Sequence, residues 1–265
     1  LTEAPALART RSLVGPLGRP KQLSASIWLV EADGRRLVVK EDPGALDEAD
    51  GLASLAAMPG APPVPSVVAA EPGLLIEEFI EPGHRSAPSE EALGRSLAHL
   101  HAASWPRFGG GSSWVGRCQV DPHPSGAVDA VAFYGARLTE LARRCGLEPA
   151  VQPVVARLGE LLPPGGPSLV HGDLWWGNVL WGADGRAWVI DPSAHGGHGE
   201  EDLAMLALFG PVPARLLAAY QEVTPLAPGW QERVALWQLL PLLVHAVLFD
   251  GGYRAQALAV AERYR

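Results

Sequence analysis

His171-Gly172-Asp173-Leu174-Trp175-Trp176-Gly177-Asn178 is the densest polar constellation in this 265-residue chain. It fits the spacing H-x-D-L-x-x-x-N, and that spacing has a chemical meaning. A carboxylate at Asp173 can reach an attacking hydroxyl. Asn178, five residues on, can turn back to hold a metal ion. Thirteen residues later, Val189-Ile190-Asp191 is a predicted strand ending in a carboxylate. Asp184-Gly185 is a hairpin turn joining predicted strands at 179–181 and 187–190, so Asn178 and Asp191 can lie side by side at one end. An amide oxygen and a carboxylate are hard donors, suited to Mg²⁺ on nucleotide phosphates. Taken alone, His171-Gly172-Asp173 would be a chance turn and Asp191 a strand-end cap. The joint spacing, with β signals in the right places, favours the chemical role.

The same spacing marks the catalytic loop of protein kinases. A kinase also needs a lysine on an early strand for the α/β-phosphates, and a carboxylate on the next helix to orient it. Lys40 ends the predicted strand Leu37-Val38-Val39-Lys40. Glu48 lies near the start of the following helix, with Asp47 and Asp50 as rivals. A strand-end lysine is ordinarily just solvated, but here composition adds weight. The chain has two lysines, Lys21 and Lys40, and one asparagine, Asn178. A GC-rich genome would explain their scarcity. It does not explain why the survivors occupy kinase positions.

Outward from this centre, 23–40 is predicted as β around Asp33-Gly34, 45–57 as helix, and 67–70 with 74–80 as strands around Pro72-Gly73. Glu81-Pro82-Gly83 breaks the chain. Ser89 is the expected N-cap of the next helix. Residues 109–124 read as a loop, 127–145 and 149–162 as helices, 169–171 as a short strand, and most of the chain beyond Glu200 as helix. The expected fold is α+β and bilobal: residues 1–80 form a small β-rich nucleotide-binding lobe, and 81–265 a larger, mostly helical catalytic and acceptor-binding lobe.

Composition excludes some functions. The formal net charge is −8 and basic runs are absent, which argues against nucleic acid as a partner. Apolar residues make up 48% and charged residues 19%, values of a folded domain rather than a disordered one. Cys118 and Cys145 are isolated, without metal-ligand spacing. Pro5, Arg9, Arg11 and Gly15 interrupt the first twenty residues, so no signal peptide is expected. The longest apolar stretch, 234–249, carries Gln238, Pro241 and His245 and is expected to fall short of a membrane span. These features predict a cytoplasmic protein without a membrane partner; they leave its oligomeric state open.

The sequence resembles the fructosamine (ketosamine) 3-kinase family, within the wider group of protein-kinase-like and aminoglycoside phosphotransferase-like enzymes. The resemblance rests on His171-Gly172-Asp173-Leu174-Trp175 with Gly177-Asn178, on Ile190-Asp191-Pro192, and on Glu200-x-Asp202-Leu203-Ala204-Met205 with Phe209-Gly210. Phe133-Tyr134 with Arg137-Leu138, Pro228-Gly229-Trp230 and Gly252-Tyr253 extend it. It implies a protein-kinase-like fold and ATP- and Mg²⁺-dependent phosphorylation of the 3-hydroxyl of a ketosamine, such as fructosamine or ribulosamine, free or protein-bound. It implies Asp173 as catalytic base, Asn178 and Asp191 as metal ligands, and Lys40 with Glu48 as the nucleotide-orienting pair. It also implies Glu77, Glu78, Phe79 and Ile80 as the adenine-contacting hinge. A same-fold kinase of aminoglycosides or choline-like acceptors is the alternative, and a nucleotide-binding pseudoenzyme is the second.

The sequence departs from the family in places. The segment 18–26, where a phosphate-covering loop belongs, has one glycine, and Lys21 within it reads as solvated. Trp176 replaces a small residue, 116–119 is short, and Asp121 replaces an asparagine. Trp175 and Trp176 are candidate acceptor-contacting residues. His195, His198 and Glu200 lack the helical spacing of a zincin site and fall in an expected loop at 193–199. Asp202 is expected to cap the helix beginning near Leu203 and to brace the catalytic loop. His99, His101 and His245 read as structural. Residues 171–250 hold nine acids and three bases, a balance favouring a cationic acceptor.

Overall fold

The computed structural model describes residues 4–124, 127–249 and 251–265. Asp250, one of the nine acids counted above, lies outside the described residues.

The N-terminal part is a five-stranded antiparallel sheet. A helix, α1 (Pro5–Val14), precedes β1 (Lys21–Ser24), β2 (Ile27–Ala32) and β3 (Arg35–Lys40). Then come α2 (Ala45–Ala56), β4 (Val67–Glu71) and β5 (Leu74–Glu78), in the sheet order β1-β2-β3-β5-β4. Asp33 and Gly34 both have positive φ, as the tight β2–β3 turn requires. Alternation divides the sheet's faces. Trp28, Val30, Leu37, Val39, Leu74 and Ile76 bury one face against Ala6 and Leu7 of α1. Leu75 faces Ala45 and Leu52 of α2 on the other. Val38 pairs with Glu77 and Lys40 with Leu75, so Lys40 and Glu77 share the face toward α2. β1 occupies part of the expected phosphate-covering loop, and Lys21 is exposed on it.

Beyond the break lies α3 (Ala87–Ala102). Its N-cap is Ser86, not Ser89. The Ser86 Oγ accepts from Ser89 N–H at 3.2 Å, and the Ser89 Oγ accepts from Ser86 N–H at 2.9 Å. Pro88 favours this frame, because the first turn has N–H groups without intrahelical partners and loses nothing to a proline. Inside the expected loop, β6 (Trp114–Val115) and β7 (Cys118–Gln119) form a small hairpin. There follow α4 (Ala130–Arg144), α5 (Glu148–Ala156), α6 (Leu158–Leu161) and β8 (Ser168–Val170). The predicted strands after the 171–178 loop are β9 (Val179–Trp181) and β10 (Ala187–Val189), paired antiparallel. The expected loop at 193–199 instead contains β11 (His195–Gly197), antiparallel to β8.

The chain ends in α7 (Gly199–Leu206), α8 (Ala214–Val223), α9 (Trp230–Phe249) and α10 (Gly252–Tyr264). One core joins α4, α5, α9 and α10. A second joins α3 and α8 to the 171–178 loop and the β9–β10 hairpin. By length and composition α9 does suffice to cross a membrane, contrary to expectation. It packs on α4, α7 and α10, burying Leu236, Trp237, Leu239, Leu242 and Leu243.

Candidate active site

Two cavities meet at Asp173 between the sheet and the helices. The first, about 310 Å³, is walled by Ser24, Ser26, Lys40, Glu48, Asp173, Asn178 and Asp191 among others. The second, about 560 Å³, takes in Trp175, Phe209, His245, Phe249 and Tyr253. Asp173, Trp175, Gly116 and Arg117 line both. Each volume is in the range of small-ligand sites.

The loop expected to be catalytic leaves β8 at His171. Gly172 then takes φ +80°, and a Cβ there would lie 2.2 Å from the Ser193 carbonyl oxygen, so only glycine fits. The buried Asp202 carboxylate accepts from the backbone N–H of His171 at 2.7 Å and of Gly172 at 2.9 Å. It also meets His101 Nε2 at 3.1 Å, and His101 Nδ1 lies 3.0 Å from the Tyr220 hydroxyl. Burial would raise the Asp202 pKa, but the His101 hydrogen bond and charge, with His171, bring it below the usual carboxylate value. Asp202 therefore braces the loop as expected, while the expected cap belongs elsewhere. The helix starts at Gly199, and His198 caps it through Nδ1, which accepts from Glu200 N–H at 3.2 Å.

Asn178 donates from Nδ2 to the Asp173 carbonyl at 2.9 Å and toward its carboxylate at 3.4 Å. This fixes the turn between the two residues. It leaves the Asn178 Oδ1, the atom a cation needs, without a protein partner among the described residues. Burial, then the charge of Asp191, pushes the Asp173 carboxyl up to about 8. That is the direction a proton acceptor near neutral pH requires. Asp191 adopts φ +54°, a left-handed conformation that Asp tolerates better than most residues.

Lys40 Nζ bonds the carboxylates of Glu48 at 2.6 Å, Glu77 at 2.8 Å and Asp191. Burial alone would lower the Lys40 pKa, but Asp191, Glu77 and Glu48 together hold it well above its ordinary value. Burial pushes the Glu48 carboxyl up to about 8 despite Lys40. At Asp191 the burial penalty is overcome by Lys40, and the pKa falls. Glu48, Glu77 and Asp191 come close enough to share a cation, but the Lys40 ammonium already sits among them. The set that fits Mg²⁺ is the Asn178 oxygen with the outer face of Asp191, both hard oxygen donors on the cavity wall.

Lys40, Glu48, Asp173, Asn178 and Asp191 are thus brought to one cavity. Of the rivals to Glu48, Asp47 instead accepts from Ser113 N–H at 2.7 Å. Among the four predicted hinge residues, the Glu77 side chain turns inward to Lys40, and Ile80 is buried. Phe79 lies under Arg36, whose guanidinium is 4.6 Å from the ring centroid, and Glu78 is exposed. None of the four lines the cavity. Trp175, 40% exposed, lines both cavities, whereas Trp176 packs under Arg85 in the second core and lines neither. His245, expected to be structural, lines the second cavity beside Phe209, Phe249 and Tyr253. Phe209 and Tyr253 were visible in family motifs; nothing in the sequence marked Phe249. His195, His198 and Glu200 diverge. His195 packs on Phe133, His198 stacks on Trp237, and Glu200 takes Arg233 and the Trp237 indole.

The family model for fructosamine kinase matches residues 43–264. A candidate ketoamine kinase of Synechocystis is 37% identical over 197 residues, covering 69% of this chain and 64% of that protein. The chloroplastic protein-ribulosamine 3-kinase of Oryza sativa subsp. indica is 33% identical over 219 residues, covering 76% and 63%. The matched stretch thus spans just under two thirds of these curated relatives. A crystal structure of a candidate fructosamine-3-kinase from Thermobifida fusca superposes with a TM-score of 0.87 at 37% identity, covering 96% of both chains. A macrolide 2'-phosphotransferase of Brachybacterium faecium, 20% identical, shares the fold with a TM-score of 0.61, covering 98% of this chain and 97% of that one. Matched by the family model over most of its length, the chain belongs to the fructosamine kinase family.

Proposed function

We propose that this protein transfers the γ-phosphoryl group of ATP to a hydroxyl of a ketosamine, specifically the 3-hydroxyl of a fructosamine or ribulosamine. The observation that carries this is Asp173, which stands where the two cavities join, braced by Asn178. The first cavity would take the nucleotide phosphates and the second the sugar and its amine. Asp173 accepts the acceptor hydroxyl proton as oxygen attacks phosphorus and ADP leaves. Lys40, aligned by Glu48, steadies the α/β-phosphates. Asn178 and Asp191 would hold Mg²⁺, which supplies positive charge against the phosphate oxygens. The protein's own contribution is positioning and charge.

Trp175 offers an exposed aromatic face to the sugar. The acidic stretch around the catalytic loop favours an acceptor that keeps a protonated amine. The acidic balance and two buried free cysteines fit a reducing, cytoplasmic setting. The test is a coupled ADP-release screen of fructosyl-lysine, ribulosyl-lysine, an aminoglycoside and choline, with the phosphorylated position located by NMR. Preference for the aminoglycoside or choline would overturn the acceptor class. Asp173→Asn is expected to abolish transfer while Mg-ATP binding, read by calorimetry, survives; near-wild-type turnover would remove Asp173 from its role.

A further inference from the structure

Phosphoryl transfer spreads negative charge over the moving group, and the site must neutralise it. Lys40 is poorly placed to do this alone, because three carboxylates already share its ammonium. The segment over the first cavity has one glycine, which limits close backbone approach to phosphate. Among the described residues lining the two cavities, the lysine and arginine side chains are those of Lys40 and Arg117. Arg117 lines both, and so does Asp173. It has no hydrogen-bond or ion-pair partner among the described residues.

The platform beneath Arg117 is firmly tied. It stands at the tip of the β6–β7 hairpin, after Gly116, with Val115 and Cys118 buried on either side. The Ser193 hydroxyl, two residues past Asp191, donates to the Trp114 carbonyl. The Ser113 N–H donates to Asp47, the neighbour of Glu48, at 2.7 Å, and Arg144 donates to the Gln119 carbonyl at 2.6 Å. The hairpin is therefore fastened to the same two segments that carry Glu48 and Asp191, yet its cation is unspent.

We propose that Arg117 is a catalytic residue, the cation that stabilises the phosphoryl group as it passes from ATP to the acceptor. This rests on the phosphotransferase function proposed above. In the step, the acceptor oxygen–phosphorus bond forms and the bridging oxygen–γ-phosphorus bond breaks, its electron pair leaving with ADP. The hydroxyl proton goes to Asp173. Arg117 exchanges no proton; its planar fork donates to oxygens of the moving group.

The test compares wild type with Arg117→Ala and Arg117→Lys. The side chain is exposed and unpaired, so an unchanged Tm is expected and certifies the fold. Arg117→Ala should lower kcat by about 10²–10³-fold, somewhat less than an arginine finger supplied in trans. KM for ATP and for the acceptor should stay within about threefold, the pattern of an interaction made only in the transition state. Arg117→Lys should restore part of the loss. A second readout needs no acceptor: wild type should bind Mg-ADP with aluminium fluoride, which mimics the moving group, more tightly than Arg117→Ala does. Wild-type kcat in Arg117→Ala, or a change confined to the acceptor KM, overturns the proposal. If wild type phosphorylates no ketosamine, the proposed acceptor fails, while the aluminium fluoride comparison still decides Arg117. Equal tightness in the two proteins would overturn its role.

Discussion

Asp202 reaches the chemistry without touching the cavity where nucleotide would bind. Its carboxylate orders two successive N–H groups of the catalytic loop and faces His101 inside the helical lobe. An amide there presents one oxygen and one NH₂ to groups that are mostly donors. Asp202→Asn should therefore cost about 3 kcal/mol, the scale of breaking a buried charged network. The sign with pH follows from its depressed pKa. The unfolded chain takes up the proton first as pH falls, so the contribution is complete above the ordinary carboxylate value. It is lost as pH drops through the lower folded value. The Tm gap between wild type and Asp202→Asn should narrow from about pH 5 toward pH 2, as read by thermal melts; a gap constant to pH 2 contradicts this. Glu77 shows what a sequence withholds at this scale. Its neighbours identify β5, but its direction depends on pairing with β3, nearly forty residues away. Only the register Glu77–Val38 and Leu75–Lys40 brings it to the lysine.

Helices α3 and α8 cross so closely that one methyl group decides the packing. A Cβ on Gly94 would lie 2.2 Å from the Leu216 carbonyl oxygen and 3.2 Å from Tyr220 N. Alanine is the better helix former by about 1 kcal/mol, yet Gly94→Ala must push the two helices apart. The expected net effect is a loss of about 2–3 kcal/mol, as overpacking costs. Urea unfolding measures it, and a stabilised variant would show that the crossing yields freely. The same closeness explains why β11 escaped the sequence. Glycines are poor strand formers by composition, so His195-Gly196-Gly197 reads as loop. A Cβ on Gly196 would meet the Arg107 carbonyl oxygen, and the missing side chain is what admits the neighbouring backbone. The hairpin around Asp184-Gly185 and helix α2 were legible because their signals are local: a turn pair, and leucines at helical spacing with Asp47 and Glu48 in the first turn. The N-cap at Ser86 and the β6–β7 hairpin were not, since each depends on contacts a few ångströms wide that periodicity does not encode.

Across the whole molecule the charge is uneven, and the unevenness has a kinetic consequence. The chain carries −8, and 171–250 alone hold nine acids against three bases. Partly buried pairs such as Glu200–Arg233 cancel locally, with 2.8 and 2.5 Å contacts. Asp173, Asp191 and Glu48 put carboxyl groups on the first cavity's wall, where Lys40 is enclosed by Glu48, Glu77 and Asp191 and Arg117 is the exposed cation, so the attraction rests on the wider acidic balance of 171–250. The bilobal layout was legible from the break at Glu81-Pro82-Gly83 and the change from β to helical signals. The second cavity was not, because α9, α10 and the catalytic loop contribute its wall from distant parts of the chain. An approaching acceptor meets this field before it meets the pocket. A ketosamine with a protonated amine should be drawn in, and salt should weaken the attraction, because the Debye length shortens to about 10 Å at 0.1 M. With Mg-ATP saturating, kcat/KM for a cationic ketosamine should fall about two- to fivefold between about 20 and 200 mM salt. The same sugar carried on an acylated, uncharged nitrogen should change little, which separates steering from any effect of salt on nucleotide binding. Initial rates at low acceptor concentration measure both. An unchanged or rising rate with salt for the cationic acceptor would mean that the acidic lobe does not draw it in, and that recognition rests on the aromatic wall.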